Sequence, residues 1–321
     1  MADEQLTVEF WDVGQGDASV LRIGGNRVII IDVGPRNSPI IDWLIQNQSI
    51  YVESIILTHN DADHAGAMAA ITEAAKFRIN SVFFLQDRNK KERPFLELFS
   101  NLHENYKLQT IRTLRRLEAP CNIWNSVSGQ CCLEVKYPLI QDNIVASDPN
   151  VTSGIITLAI NGKTKVIWAG DSQIESVARE CGSGEPNYMA GPHHGAPLDR
   201  AKPQAVAWLR SINAETIFLS VGSKNPYKHP QPSYIKKSLA AESRIVCTQL
   251  TKLCDKTRRT DVIKSHARLA LPQPNTGICC RGPVRLSLRN GFLMGDDLDD
   301  QHQEEIRHLQ RPRCLLLRPK K

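Results

Sequence analysis

The N-terminal part of the chain alternates short apolar runs with turn residues. Residues 6–13 and 20–23 have the β-branched and aromatic content of strands, and Gly24-Gly25-Asn26 forms a turn into the apolar run 27–31. A strand that is buried on both faces has such a continuous apolar run. The pattern therefore predicts that a hairpin opens the fold and that a central strand follows it.

A helix and another strand are expected next. Ser38 is suited to cap a helix with Pro39 at its first position, and the apolar residues among 40–45 then share one helical face. The apolar run 54–57 predicts the following strand, and the alanine-rich stretch that ends at Phe77 predicts a second helix.

The second half of the chain repeats this order. Residues 154–160 and 163–168 flank Asn161-Gly162, a strong hairpin signal, and the second of these strands ends at Gly170-Asp171. Two halves that each contain a hairpin and helices predict two sheets packed face to face with helices outside. We therefore expect an α/β fold with four layers, an αββα sandwich.

Length and composition fit a soluble enzyme. With 321 residues and 41% hydrophobic content, the chain can bury a full core, and we expect one large domain at 1–250 with a C-terminal extension at 251–321. No apolar stretch approaches the roughly 20 residues that span a bilayer. Residues 1–5 have no signal-peptide features, so we expect a cytoplasmic protein without a membrane segment.

The charge and the cysteines leave alternatives open. The formal net charge of +6 is compatible with a polyanionic partner, and the basic residues of 307–321 either hold nucleic-acid phosphates or form a solvated tail. The nine cysteines occur in a chain without an export signal, so a disulfide framework is not expected. Cys247, Cys254 and Cys279 either hold a structural zinc or are free buried thiols, since their spacing matches no standard zinc finger.

The segment Thr58-His59-Asn60-Asp61-Ala62-Asp63-His64 contains two imidazoles and two carboxylates directly after the predicted strand 54–57. Asp61 and Asp63 would repel each other if they were unpaired, and a divalent cation removes this repulsion when carboxylates and neutral imidazoles bind it together. The segment therefore predicts a metal site at a strand end. The alternative interpretation is a solvated polar loop.

This motif resembles the signature His-x-His-x-Asp-His of the metallo-β-lactamase superfamily, with Asp61 in place of the second histidine. Among its branches the chain is similar to the C-terminal hydrolase domain of the ComEC competence proteins, in a stand-alone form. Three further motifs support this resemblance over roughly residues 6–250, and they occur in the family's order: 11–18 (WDVGQGDA), 192–195 (PHHG) and 225–230 (NPYKHP).

The resemblance implies the roles of the site residues. His59 and Asp61 would hold one metal ion, Asp63 and His64 the other, and Asp171 would bridge the two. His193 or His194 would complete the site, and the sequence does not decide which of them does so. Three residues are the candidates for catalysis: Asp63 to orient water, and His194 or His229 to neutralise charge or protonate the leaving oxygen.

Each of these roles has a simpler alternative. Asp171 alone could cap a helix, one of His193 and His194 could be a structural histidine, and His229 could be an ordinary surface histidine. Asp12, Gln15 and Asp17 either shape the floor of the pocket or make only local backbone hydrogen bonds.

The predicted activity is hydrolysis of phosphodiesters, with DNA as the substrate and a metal-bound hydroxide as the nucleophile. No histidine occurs between His103 and His193, where many superfamily members have a ligand, and the three aspartates make the site rich in oxygen. We therefore expect two divalent ions, Mn²⁺ or Zn²⁺, with manganese in the working enzyme.

Two alternatives to this activity stay open. The first is a hydrolase of the same fold that acts on a phosphocholine ester, a cyclic nucleotide or a lactone. The second is a non-catalytic effector or binding subunit that works with a protein partner from a neighbouring gene. The oligomeric state cannot be read from the sequence.

Overall fold

The computed structural model describes residues 6–75, 78–85, 93–139, 141–142, 149–198, 203–254, 277–295, 298–309 and 314. Within these ranges the strands form two sheets, one of eight strands and one of seven. The strands of the first sheet are β1 (Leu6–Phe10), β2 (Ala18–Ile23), β3 (Arg27–Val33), β4 (Tyr51–Ile56), β5 (Ile79–Phe84), β6 (Ile111–Arg116), β14 (Val284–Arg289) and β15 (Phe292–Gly295). The strands of the second sheet are β7 (Cys121–Asn125), β8 (Cys131–Tyr137), β9 (Ile155–Ile160), β10 (Lys163–Trp168), β11 (Tyr188–Ala190), β12 (Thr216–Leu219) and β13 (Arg244–Cys247).

Each sheet has an antiparallel part and a parallel part. The order in the first sheet is β15-β14-β1-β2-β3-β4-β5-β6, and the pairs from β3 to β6 are parallel. The order in the second sheet is β13-β12-β11-β10-β9-β8-β7, and the pairs from β10 to β13 are parallel. In an α/β sheet the carboxyl ends of the parallel strands are where sites are built.

The helices cover the outer faces of the two sheets. The described α-helices are α1 (Ile40–Gln46), α2 (Ala62–Ala65), α3 (Met68–Ala74), α4 (Arg93–Lys107), α5 (Ile174–Cys181), α6 (Ala205–Ile212), α7 (Pro232–Ala240) and α8 (Leu298–Ile306). The chain also forms short 3₁₀ turns at Pro149–Thr152 and Pro192–Gly195.

Three hydrophobic cores separate four layers. Between the sheets, the ring of Phe10 lies 5.9 Å from that of Trp168 and 5.0 Å from that of Phe218. A second core joins the first sheet to α1, α3 and α4, and a third joins the second sheet to α5, α6 and α7. The αββα sandwich predicted from the sequence is therefore confirmed.

The predicted hairpins are present as well. β2 and β3 pair across the Gly24-Gly25 turn, and β9 and β10 pair across Asn161-Gly162, where both residues have a positive φ (51° and 73°) as this tight turn requires. His64 lies within the short helix α2, the alanine-rich stretch after it forms α3, and residues 76–77 at its end lie outside the described residues.

Residues beyond 250 contribute to this sandwich. β14 pairs with β1, β15 forms the edge of the first sheet, and Ile306 and Leu309 lie in the core of the second sheet. Most of the basic C-terminal stretch, at 310–313 and 315–321, lies outside the described residues. In the part of the chain that the structure describes, no helix is both long enough and apolar enough to cross a membrane.

Candidate metal centre

Polar residues from both sheets meet where parallel strands end. His59 follows β4 of the first sheet, Asp171 follows β10 of the second, and His193 and His194 follow β11, which is the parallel neighbour of β10. Since β4 and β10 belong to facing sheets, the site lies between the two sheets, at the edge of the core that they enclose. The predicted metal ligands, far apart in the sequence, are thus brought together.

The first group of ligand atoms surrounds one oxygen of Asp171. Oδ2 of Asp171 lies 3.5 Å from Nε2 of His59 and 3.5 Å from Nε2 of His193. Nε2 of His59 also lies 3.7 Å from Oδ2 of Asp61.

The second group surrounds the other oxygen of the same carboxylate. Oδ1 of Asp171 lies 3.1 Å from Nε2 of His64 and 3.6 Å from Nε2 of His194. The two imidazole nitrogens are 3.1 Å from each other, and Nε2 of His194 is 3.3 Å from Oδ2 of Asp63. Asp171 therefore lies between two sets of donors, and His193 and His194 lie on opposite sides of it.

Hydrogen bonds on the far side of each ring orient two of these imidazoles. Nδ1 of His64 lies 2.8 Å from Oδ2 of Asp32, which accepts a hydrogen bond from it, so Nε2 is the nitrogen of His64 that faces the site. Nδ1 of His59 contacts the hydroxyl oxygens of Thr58 (3.2 Å) and Ser153 (3.3 Å). Thr58 donates its own proton to Asp32, so its oxygen is able to accept one from His59.

His194 has a comparable partner outside the two groups. Its Nδ1 lies 3.4 Å from Oδ1 of Asp17, and the backbone N–H of Asp17 donates to the carbonyl oxygen of Asp63. Asp17 thus supports the site directly. Asp12 is instead a buried turn residue: its Oδ1 accepts hydrogen bonds from the backbone of Gly14 and from the side chain of Gln249.

The donor atoms fit divalent cations. Ligands bound at about 2.0–2.2 Å from a zinc or manganese ion lie roughly 3.0–3.5 Å from one another, close to the separations within the two groups. Nε2 of His59 is buried and makes no hydrogen bond, an arrangement that costs free energy unless another partner binds the nitrogen. A cation beside Asp171 is such a partner.

The charges of the site also favour cations. Burial raises the pKa of Asp63 and of Asp171, but the neighbouring His64 and His194 outweigh it and hold both pKa values below their usual range. Burial lowers the pKa of His194, but Asp17 and Asp171 outweigh it and raise that pKa to about 10. Because carboxylates draw protons onto these imidazoles, they attract a metal ion that displaces the protons.

The backbone around the site adopts conformations that few residues tolerate. Gly16 has φ 134°, and a Cβ there would lie 2.2 Å from the carbonyl oxygen of Asp63. Gly170 has φ 49°, and a Cβ there would lie 2.4 Å from Oγ of Ser153. His193 and His194 both have φ 51°, which is uncommon outside glycine and is a form of strain found at functional sites.

His229 lies beside this centre and is buried, unlike an ordinary surface histidine. Its ring centre is 5.7 Å from that of His193 and 6.5 Å from that of His194, and the ring of Tyr227 stacks on it at 5.8 Å. Burial, followed by the positive charge of His194, lowers the pKa of His229 to about 4. The side chain of Asn225 holds the loop by bonding the backbone N–H and the carbonyl oxygen of His229.

A groove of about 760 Å³ lies beside His229, which lines it, whereas the candidate metal ligands do not. Three lysines line it, Lys224 and Lys228 from the loop after β12 and Lys252 from the loop after β13, and all three are exposed. The groove therefore places positive charge next to the candidate centre.

The sequence did not indicate every residue of this arrangement. Asp32, which orients His64, lies within β3 directly after its apolar residues, and a carboxylate at this place in a buried strand was the available signal. Ser153 accepts a hydrogen bond from the backbone N–H of Asp171 and contacts His59. Neither Asp32 nor Ser153 belongs to one of the sequence motifs from which metal ligands were predicted.

These features are those of a candidate metal centre between the two sheets. Residues 11–79 match the model of the metallo-beta-lactamase superfamily, a segment that includes Asp32 and the loop from His59 to His64. This segment is therefore similar to that superfamily, in agreement with the resemblance that the motifs carry.

A curated relative extends the likeness beyond this segment. The chain is 25% identical over 249 residues to Recombination protein 2 of Haemophilus influenzae, a ComEC-like protein, and the alignment covers 73% of the chain. It covers 27% of the relative, so the chain corresponds to about a quarter of that protein's length.

Solved structures show more distant similarity. Igni18, a metallo hydrolase of the archaeon Ignicoccus hospitalis, is 17% identical with a TM-score of 0.47, and the superposition covers 75% of this chain and 94% of that one. Unliganded yeast PDE1 is 12% identical with a TM-score of 0.49, and the superposition covers 77% of this chain and 98% of that one.

Proposed function

We propose that the chain is a phosphodiesterase that works with two divalent cations and cleaves DNA. The observation that carries this proposal is the position of Asp171, whose two oxygens face different sets of donors. Oδ2 lies 3.5 Å from Nε2 of His59, and Oδ1 lies 3.1 Å from Nε2 of His64. A carboxylate placed in this way is suited to bridge two cations, the arrangement used to hydrolyse phosphodiesters.

The proposed ligands form two sets that share Asp171. One set consists of His59, Asp61 and His193, and the other consists of Asp63, His64 and His194. When bound, two such cations acidify a water and stabilise charge on the attacking and leaving oxygens of a phosphodiester. No serine or cysteine nucleophile is required of the chain.

Two side chains are assigned to the chemistry itself. Asp63 is partly exposed and faces His194 through one oxygen, so its carboxylate is placed to orient a water by accepting a hydrogen bond. His229, with its pKa lowered to about 4, is neutral at pH 7 and offers a ring N–H to a phosphate or leaving oxygen. His194 has Nε2 among the ligand atoms, so we assign it to a cation and not to proton transfer.

The groove supports a polyanionic substrate. Lys224, Lys228 and Lys252 line it beside His229, where a strand that enters the centre would continue. Lysines in a groove bind backbone phosphates without reading the sequence. The name of the relative, Recombination protein 2, also favours DNA, although the chain matches only 27% of that protein.

The proposed working ion is manganese. Three of the proposed ligands, Asp61, Asp63 and Asp171, supply carboxylate oxygens. Oxygen ligands suit Mn²⁺, whereas nitrogen and sulfur ligands favour Zn²⁺. A protein partner from a neighbouring gene and a cytoplasmic location stay predictions.

Turnover of bis(p-nitrophenyl) phosphate and of DNA by metal-stripped protein resupplied with Mn²⁺, Mg²⁺ or Zn²⁺ tests the function. We expect metal-dependent cleavage of both substrates, and its loss in Asp63→Ala with DNA affinity retained. Replacing Lys224, Lys228 and Lys252 together by alanine should reduce the slope of log affinity against log salt by about three, since each phosphate contact contributes roughly one. Lys163→Ala is the control, because Lys163 begins β10 at the end opposite Asp171.

The same metal-resupply assay, extended to further substrates, separates the alternatives. Cleavage of a phosphocholine ester, a cyclic nucleotide or a lactone without cleavage of DNA would assign another substrate to the same centre. No turnover of any substrate with all three metals would overturn the enzymatic proposal in favour of a binding or effector subunit.

A further inference from the structure

Four cysteines come together at a second place in the molecule. They are Cys247 at the end of β13, Cys254 in the turn that follows, Cys280 in the strand-like segment before β14, and Cys314 near the C-terminus. All four are buried, with 2–6% of their surface exposed, and all belong to the core that packs against the second sheet. We name this group the thiol cluster.

The backbone brings these segments into contact. Gln249 pairs with Cys279 in an isolated antiparallel bridge, and the N–H of Cys280 donates to the carbonyl oxygen of Thr248 at 2.8 Å. This bridge places Cys280 next to Cys247. The turn closed by the hydrogen bond from the N–H of Cys254 to the carbonyl oxygen of Thr251 then returns Cys254 toward the same core.

The four thiols interact with one another. Burial, followed by Cys254, raises the pKa of Cys247, and burial, followed by Cys254 and Cys247, raises that of Cys280. A hydrogen bond with Cys254, followed by burial, raises the pKa of Cys314. Cys279 is different, because its Sγ points to the carbonyl oxygen of Thr248 at 3.8 Å.

Polar groups also surround the cluster. Sγ of Cys280 lies 3.7 Å from Nε2 of His302 on α8, a histidine with 2% of its surface exposed. The backbone N–H of Arg281 donates to the carbonyl oxygen of Cys247 at 3.0 Å, and this hydrogen bond holds the segment of Cys280 beside the end of β13. Hydrogen-bond donors aimed at a sulfur atom stabilise a thiolate, and they are typical of the surroundings of metal-bound cysteine.

We propose that Cys247, Cys254, Cys280 and Cys314 bind one structural zinc ion, with His302 as a hydrogen-bond donor to the sulfur of Cys280. Four cysteine ligands form a closed tetrahedral site, which is the structural kind and leaves no open position for a substrate. Binding releases four thiol protons to solvent and forms four zinc–sulfur bonds, so no oxidant or reductant is involved. Among the described residues, two groups have all their ligand atoms within 4.8 Å of one another, one of Asp17, His64 and His194 and one of His59, His64 and Asp171. The sulfur atoms of the thiol cluster are farther apart and would close on the ion by rotation about χ1.

The ion would join parts of the chain that are far apart in sequence. It would link Cys314 to the end of β13, which is an edge strand of the second sheet. Ile306 of α8 packs in the same core as these cysteines. The turn that carries Cys254 also contributes Lys252 and Leu253 to the groove beside His229. Zinc binding would therefore stabilise one wall of that groove without taking part in hydrolysis.

Cobalt substitution in the full chain tests the proposal independently of the proposed function. Co²⁺ bound by thiolates gives an intense sulfur-to-metal charge-transfer band, whereas Co²⁺ held by the carboxylates and imidazoles around Asp171 gives none. We expect this band in the unmodified protein, its retention in Asp171→Asn, and its loss when Zn²⁺ is added. Absence of the band in reduced protein would overturn the proposal.

Cysteine variants give the second measurement. Cys254→Ser and Cys280→Ser should each lower the zinc content by about one ion per chain, and Cys181→Ser, also buried but outside the thiol cluster, should not. If the variants do not fold, stepwise reaction of the unmodified protein with a mercurial should release one zinc as four thiols react. Release of no zinc, or disulfides between these cysteines found by mass spectrometry, would contradict the assignment.

Discussion

Oδ2 of Asp32 lies 2.8 Å from Nδ1 of His64, and the same buried carboxylate holds the chain that leads to His59. Its Oδ1 accepts from the backbone N–H of Thr58 at 2.7 Å, and its Oδ2 accepts from the hydroxyl of Thr58 at 2.7 Å. One carboxylate thus orients a proposed ligand of each set, directly for His64 and through Thr58 for His59. Partners of this kind fix the tautomer and direction of metal-binding histidines.

We expect Asp32→Asn to weaken binding of the metal ions by about 10- to 100-fold, the usual effect of losing such a partner. An amide in either orientation places an N–H group against a donor: toward Nδ1 of His64 in one case and toward the N–H of Thr58 in the other. In the first orientation the ring of His64 would carry its proton on Nε2, which faces the site, and in the second the loop that leads to His59 would lose its hydrogen bond to the N–H of Thr58. Titration of metal-stripped protein with Mn²⁺ measures the change.

The control for Asp32→Asn is Glu53→Gln, which removes a charge from β4 where Glu53 pairs with the exposed Arg27. Its Mn²⁺ affinity should equal that of the unmodified chain. Equal Mn²⁺ affinity in Asp32→Asn and Glu53→Gln would refute the orienting role of Asp32.

Asp171→Asn should reduce the manganese content from two ions per chain to one or none. An asparagine presents one oxygen and one N–H group, so it cannot accept two cations through both side-chain atoms. Manganese is the suitable ion for this count, since the proposed site of four cysteines selects zinc. A full complement of two Mn²⁺ ions in the variant would remove Asp171 from the bridging position.

Much of the architecture follows from local patterns. The turns at Gly24-Gly25 and Asn161-Gly162 and the apolar run 27–31 were sufficient to place two hairpins and a central strand, because turn conformation and burial act on neighbouring residues. The loop from His59 to His64 predicted a metal site, because it has two histidines and two aspartates in six residues. Asp171 was placed by its position after a strand, since that is where facing sheets present their polar ends.

The remaining features depend on contacts between distant segments. Asp32 reaches His64 because β3 pairs in parallel with β4, Ile31 beside Ile56, and no local pattern specifies that register. His193 and His194 lie on opposite sides of Asp171 because both have left-handed backbone conformations, which packing imposes and composition does not reveal. Likewise, the Gln249–Cys279 bridge joins distant segments and leaves Sγ of Cys279 at the carbonyl oxygen of Thr248, which the spacing of the cysteines does not reveal.

Asp61→His should shift the metal preference from manganese toward zinc. Oδ2 of Asp61 lies 3.7 Å from Nε2 of His59, so the substitution exchanges an oxygen for a nitrogen within the first set of proposed ligands. Nitrogen suits the softer zinc ion. We expect the ratio of kcat/KM with Mn²⁺ to that with Zn²⁺ to exceed one in the unmodified enzyme and to fall by about tenfold in the variant, a change of roughly 1.4 kcal/mol in activation free energy. Identical ratios in the two proteins would count against Asp61 as a ligand.

Asp12→Asn should change how stability depends on pH. Burial raises the pKa of Asp12 to about 6, against which the hydrogen bonds from Gly14 and Gln249 act only in part. The folded state therefore binds this proton more tightly than the unfolded state, whose pKa is about 4. The stabilisation from the protonated group is complete below pH 4 and is lost as pH rises through 6.

An asparagine at position 12 keeps an oxygen that accepts from Gly14 and Gln249 and has no proton to lose. Relative to the unmodified chain, its free energy of unfolding should therefore rise between pH 4 and pH 7, by on the order of 2–3 kcal/mol for a shift of this size. Denaturant unfolding of both proteins in the presence of a chelator measures the difference without a contribution from bound metal. Asp42→Asn, on the exposed side of α1, controls for the loss of one negative charge. A stability difference that stays constant or falls over this pH range would show that Asp12 is ionised in the folded protein throughout.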